Sequence, residues 1–407
     1  MSRRTGLEGM ARQLARRDGH VVDRPLGSGA SFPLTYVRAT PAQDRRGLPV
    51  LLVPGGPGLA SVLPYRGLRA RAAALGLDAL MVEHRGVGLS RTDARGADLP
   101  REAVTVRQAA DDLAAVLDSA GVERAVVYGS SYGTHLAQAL GARHPERVAA
   151  MVLDSPMLSV EDDLAANRAH RRRLLWDGED PELAPVAAAV RALAARGGPM
   201  RELSHVVQVV FEFAGPDVLH RLLLARARGR LRGTWTRIAG LGAGELEGAG
   251  QRFLMEPDLV AGIAYGELGF GLPPDGGPLD PQLDFAEAAA RQPRFTGEAL
   301  DLPAALRRAP WPVVVVSGER DLRTPRPVAR RAVDLAPDGL LVPLARTGHS
   351  ALDTHQEAAL HVVRAAADGD TARLDDTAAL DALPRRGASR LVGTAISAVV
   401  RAATRPA

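Results

Sequence analysis

The chain has 407 residues, 46% hydrophobic and 24% charged, which suffices for one large domain with an insertion or for two domains. It has no cysteine, which excludes a disulfide framework and thiolate metal sites. It has no lysine either, so its 51 basic residues are all arginines, set against 47 acidic residues for a net charge of +4. The arginine runs at 171–173 and between 226 and 232 read as solvated helix faces, and no aromatic platform beside them points to nucleic acid. The N-terminal segment carries charges without the apolar stretch of a secretory leader, and no run approaches the roughly 18 apolar residues of a membrane span. The protein is therefore expected to be cytoplasmic, with no membrane span.

Residues 1 to about 19 read as a polar lead-in, helical or poorly ordered. His20 to Asp23 and Phe32 to Arg38 form an expected antiparallel pair, with Phe32, Leu34 and Tyr36 alternating on one face. The turn Gly27-Ser28-Gly29 lies between them and lacks the Gly-Lys-Ser/Thr of a phosphate loop. Leu48 to Val53 is apolar throughout, as a central parallel strand covered on both faces must be. Ala79 to Glu83 is the next strand. Thr105 opens a helix, with a capping box expected at Gln108 and an apolar face of Val106, Ala110, Leu113 and Leu117. Ala125 to Tyr128 and Val148 to Leu153 supply further strands.

From about 158 to 308 the strand-like runs largely stop. Leu203, Val206, Val207, Val210 and Phe211 follow helical spacing, and the region reads as a helical cap inserted into the α/β alternation. The alternation returns with Trp311 to Ser317 and Leu340 to Leu344, closed by a helix over about Thr354 to Ala367. The expected division is a core over 20–157 and 309–370, a cap over 158–308 and a tail over 371–407. Within that tail, Leu391 to Ala403 reads as an amphipathic helix that packs on the domain or stays disordered.

Chemistry concentrates where strands end. Gly129-Ser130-Ser131-Tyr132-Gly133 lies between a strand and a helix, the setting of a nucleophile turn, and makes Ser131 the candidate nucleophile. Serine needs a base to remove its proton, and the base needs a third group to fix its tautomer. Asp321 and His349 each follow a strand and complete the order Ser, Asp, His along the chain. Asp154 is the alternative acid, and His135, His144 and His355 are the lesser histidines. Pro54-Gly55-Gly56-Pro57-Gly58 exposes backbone N–H groups after a central strand, so those of Gly56 and Tyr132 are the candidate oxyanion donors. No cluster has metal-ligand spacing, and no cofactor is expected.

These segments resemble the proline iminopeptidase and tripeptidyl-aminopeptidase branch of the α/β-hydrolases. Residues 54–58 are similar to its His-Gly-Gly-Pro-Gly loop, and Glu83-His84-Arg85-Gly86-Val87-Gly88-Leu89-Ser90 to its Asp-x-Arg-Gly-x-Gly-x-Ser segment. Residues 129–134 resemble its Gly-x-Ser-Tyr-Gly-Thr turn, while Gly318-Glu319-Arg320-Asp321 with Thr324-Pro325, and Gly348-His349, resemble its acid and base segments. Pro54 and Glu83 depart from the branch, which has histidine and aspartate there. The resemblance implies an α/β-hydrolase fold: a mostly parallel sheet with a helical cap between the strand ending near Asp154 and the strand at Trp311. It implies a serine aminopeptidase that releases N-terminal residues from short peptides. Ala264-Tyr265-Gly266-Glu267 is similar to an acidic cap segment, where a carboxylate pairs with a substrate's α-amino group. A solvated or salt-bridged Glu267 is the alternative. An esterase or thioesterase acting on small acyl substrates uses the same three residues, and a non-catalytic binding protein on this fold is the remaining reading. The sequence assigns no oligomeric state.

Overall fold

Apolar runs that are buried on both faces build the middle of the molecule. The computed structural model describes residues 3–27, 29–42, 47–242, 244, 249–386 and 389–404; Ser28, and with it the centre of the expected Gly27–Gly29 turn, lies outside them. Every residue of β3 (Val50–Val53), β4 (Ala79–Val82), β5 (Ala125–Ser130) and β7 (Val313–Gly318) is buried. With β1 (Gly19–Pro25), β2 (Ser31–Ala39), β6 (Val148–Asp154) and β8 (Gly339–Leu344) they form one sheet in the order β1-β2-β4-β3-β5-β6-β7-β8. The pairs β1–β2 and β2–β4 are antiparallel and all the others parallel. This is the α/β-hydrolase fold that the resemblance implied.

Alternate residues of each strand point to opposite faces and are covered by different helices. On one face Val127, Leu153 and Val315 pack with Leu113 and Leu117 of α3 (Val106–Ser119) and Leu136 and Leu140 of α4 (Tyr132–Arg143). On the other, Val126, Val152 and Val314 pack with Leu68 of α2 (Arg66–Ala74) and with a C-terminal helix over Gln356–Asp368. Each such fully buried side chain contributes on the order of 1.5–3 kcal/mol relative to exposure. The lead-in is itself a helix, α1 (Arg3–Asp18). At the sheet edge, Phe32, Leu34 and Tyr36 of β2 do share one buried face.

Between β6 and β7 the ordered elements are helices: α5 (Val160–Arg172), α6 (Ala184–Ala194), α7 (Met200–Ala214), α8 (Pro216–Ala227), α9 (Arg232–Ala239) and shorter helical turns. The spaced apolar residues of α7 meet Leu219, Leu222 and Leu223 of α8 and Val190 of α6 in a core separate from the two sheet faces. The reading of Arg171–Arg173 as a solvated face fails at Arg171, whereas Arg173 is exposed. Arg171 is buried and donates to the Gln208 side chain and to Ser204, while Arg172 pairs with Asp275. The run of like charges alone marked Arg171 as surface; the closeness of α5 to α7 is set by tertiary packing.

After β7 come α10 (Arg326–Leu335), β8, α11 (Gln356–Asp368) and α12 (Ser389–Ala403). Helix α12 docks on the cap, with Ile396 and Val400 buried in its core. Gly393 makes that approach possible, since a Cβ there would overlap the Phe213 carbonyl oxygen of α7. No helix among the described residues is long and apolar enough to cross a membrane. Ile396→Ala should lower the unfolding free energy by about 2 kcal/mol in urea titration. An undocked terminal helix would give no change.

Candidate active site

Register brings the ends of five strands to one edge. Val53 stands opposite Gly129, Ser130 opposite Asp154, Asp154 opposite Val316, and Gly318 opposite Leu344. Side chains just beyond those positions share the rim above the sheet, where open α/β sheets place their ligands.

Ser131 stands at φ 53°, ψ −121°, a conformation disfavoured for a residue with a side chain. The two flanking glycines permit it. A Cβ on Gly129 would overlap the Gly133 carbonyl oxygen, and one on Gly133 would overlap that of Val53. The turn is fixed by the Ser131 N–H donating to the Asp154 carbonyl (2.9 Å) and by Thr134 closing back on the Ser131 carbonyl. Ser131 thus sits at the N-terminal end of α4 with its hydroxyl at the rim.

Asp321 and His349 reach the same point from the loops after β7 and β8. His349 Nε2 lies 2.8 Å from Ser131 Oγ, and His349 Nδ1 lies 3.1 and 3.0 Å from the two Asp321 oxygens. The carboxylate accepts a hydrogen bond from Nδ1–H, which leaves Nε2 as the acceptor for the serine O–H. Asp321 also accepts from the backbone N–H groups of Arg323 (2.9 Å) and Thr324 (3.0 Å) and from the Thr324 hydroxyl (3.0 Å). Burial alone would raise the Asp321 carboxyl; the His349 charge and these donors outweigh it and hold it down at about 2. Burial pulls the His349 pKa down, but the Asp321 charge and hydrogen bond outweigh it and leave it raised above its ordinary value.

The glycine loop after β3 runs against the serine. A Cβ built on Gly55 would lie 3.1 Å from Ser131 Cβ, and Gly56 takes φ +118°. Among the described residues no acceptor engages the N–H of Gly56 or of Tyr132. Tyr132 is held beside them through its side chain. The His84 Nδ1–H donates to the Arg85 carbonyl (2.6 Å), so Nε2 accepts from the Tyr132 hydroxyl (3.0 Å). Burial lowers the His84 pKa to about 4 and keeps the ring neutral. His84 was missed as a neighbour of the site; a histidine immediately after a central strand was its signal.

The alternative residues are occupied elsewhere. Asp154 accepts from the Tyr128 hydroxyl and from the backbone N–H groups of Ala351 and Leu352. It anchors the segment after His349 rather than touching the ring. His135 and His355 are buried, and burial lowers each to about 4, whereas His144 binds Asp111. Glu267 is half-buried, and its two oxygens accept from the Val106 N–H at 3.1 and 3.3 Å, so it caps the start of α3. This corrects the expected capping box. Thr105 Oγ1 does accept from the Gln108 N–H (3.3 Å), but the Gln108 side chain binds Arg85, and a distant carboxylate serves the helix end. Among the described residues no group of three or more His, Asp or Glu is placed to hold a metal ion.

In an NMR titration the His349 imidazole should protonate above pH 6.5 and shift to lower pH in Asp321→Asn, since the neighbouring carboxylate raises it. An unshifted Asp321→Asn titration would contradict the pairing.

Residues 49–187 match the family model of the alpha/beta hydrolase fold. The chain is similar in structure to an esterase from Rhodococcus sp. ECU1013, at 18% identity over 88% of this chain and 99% of that one, TM-score 0.48. It is also similar to a thermophilic esterase from Thermogutta terrifontis, at 17% identity over 87% and 99%, TM-score 0.45. A serine hydrolase from Cycloclasticus zankles gives 16% identity over 86% and 98%, TM-score 0.44.

Proposed function

We propose that the protein is a serine hydrolase working through an acyl-enzyme, with Ser131 as nucleophile, His349 as base and Asp321 as its orienting acid. The observation that carries this reading is the chain of contacts from Asp321 through His349 to Ser131 Oγ, the last at 2.8 Å. Ser131 Oγ attacks the substrate carbonyl carbon while His349 Nε2 takes the hydroxyl proton. The carbonyl oxygen becomes an oxyanion facing the N–H groups of Gly56 and Tyr132. Collapse breaks the bond to the leaving group, which receives the proton from His349. Water, deprotonated by the same nitrogen, then attacks the ester, and Ser131 leaves with the proton.

For the leaving group we propose an amine, released when an N-terminal residue, proline among the candidates, is cleaved from a short peptide. Glu267 is the residue that the resemblance offers for this, and its half-buried carboxylate lies at the start of α3. A carboxylate there offers an ammonium a charge-assisted partner. The second reading, ester or thioester hydrolysis, is favoured by the fact that Glu267 already serves the Val106 N–H.

A screen of aminoacyl-arylamides, their N-blocked forms and short p-nitrophenyl esters separates the two. We expect turnover of free-amine amides, a loss of at least about a thousand-fold in Ser131→Ala, and a ten-fold or larger rise in KM in Glu267→Gln on those amides alone. Turnover of esters only would establish the second reading. Amide turnover untouched by Glu267→Gln would remove Glu267 from amine recognition.

A further inference from the structure

The acid loop 321–324 is held from above by the cap. Glu212, on α7, is 4% exposed. Its Oε1 accepts from the Leu322 N–H at 3.2 Å and its Oε2 from Arg323 Nε at 3.1 Å. Asn167 of α5 donates from Nδ2 to the Arg323 carbonyl at 2.6 Å. On the other side, the backbone of α7 presses on the residue before the histidine. A Cβ on Gly348 would lie 2.9 Å from the Glu212 carbonyl oxygen and 3.1 Å from Glu212 Cβ. Leu322 and Arg323 directly follow Asp321, and the Arg323 N–H binds the Asp321 carboxylate. One cap side chain therefore fixes the loop whose backbone fixes the acid.

We propose that Glu212, paired with Arg323, is a positioning residue of the Ser131–His349–Asp321 site, holding the acid loop and balancing charge beside His349. The inference rests on the serine-hydrolase reading. Glu212 touches neither Ser131 nor His349, so its influence passes through Asp321 and through the field at the ring. The charged groups around it are Arg323, Asp321 and His349 from the core loops, and Arg171 from α5. Asp284, in the helical turn at 281–284, acts on it through Arg323. Burial raises the Glu212 carboxyl, while Arg323 works against that rise. Glu212 in turn raises the His349 pKa and Arg323 lowers it. The cap carboxylate and the loop guanidinium thus form an ion pair near the base, and removing one member leaves the other acting alone.

The test is the pH dependence of phosphonylation of Ser131 by a fluorophosphonate, a reaction that needs neutral His349 and no knowledge of the substrate. In Glu212→Gln the acid limb should move to lower pH by about half a unit, because a negative charge is lost and Arg323 is left unbalanced. The labelling rate on the plateau should also fall about five-fold. The double variant Glu212→Gln/Arg323→Met removes both charges, so that neither is left without its partner. It should return the limb to its original pH while labelling stays slow, and a purely structural role would produce no such reversal. Wild-type rate and pH dependence in both variants would overturn the inference alone. An unmodified chain that never reacts at Ser131 would overturn the serine-hydrolase reading, and this inference with it.

Discussion

The close approach of three backbone segments at the end of β5 is the constraint on which the rest depends. Ser131 is held in a conformation that side chains avoid, and this requires Gly129 to meet Gly133 and Gly133 to meet Val53 without a Cβ between them. The apolar burial of β3, β5 and β6 keeps those segments in register and so sustains the strain. The same register carries the loops after β7 and β8 to the serine. Fold stability and site geometry are therefore one problem here: a side chain at either glycine would disturb both.

Charge is placed with similar economy. Three buried carboxylates near the strand ends meet backbone N–H groups, which stabilise the ionised form where water is absent. Glu83 serves Ser61, Val62 and Leu89; Asp154 serves Ala351 and Leu352; Asp321 serves Arg323 and Thr324. Two of these fasten the loops around Ser131, and Asp154 reaches across from β6 to secure the turn that follows His349. The cap joins the same network through Asn167 and Glu212, and α12 packs on the cap in turn.

Local pattern made the core legible. The apolar run at 50–53, the Gly-x-Ser-x-Gly junction and the order of Ser131, Asp321 and His349 each combine residue type with position at a strand end. The structure brings those three side chains within hydrogen-bond reach of one another, and among the described residues no acceptor engages the N–H groups of Gly56 and Tyr132. Long-range partners were not legible. Nothing near Glu267 in sequence marks it as a cap for Val106, 161 residues away. Arg171 looks solvated until α7 lies over it, and Glu212 reads as one polar residue in an apolar helix until the acid loop is brought beneath it. Such contacts depend on how the cap sits on the sheet, which periodicity does not encode.

The measurement closest to the central claim is the intact mass of the protein after reaction with a fluorophosphonate, followed by peptide mapping. The account predicts one adduct per chain, carried by the peptide containing Ser131, and none in His349→Ala over the same time. No adduct, or an adduct on another residue, would contradict it.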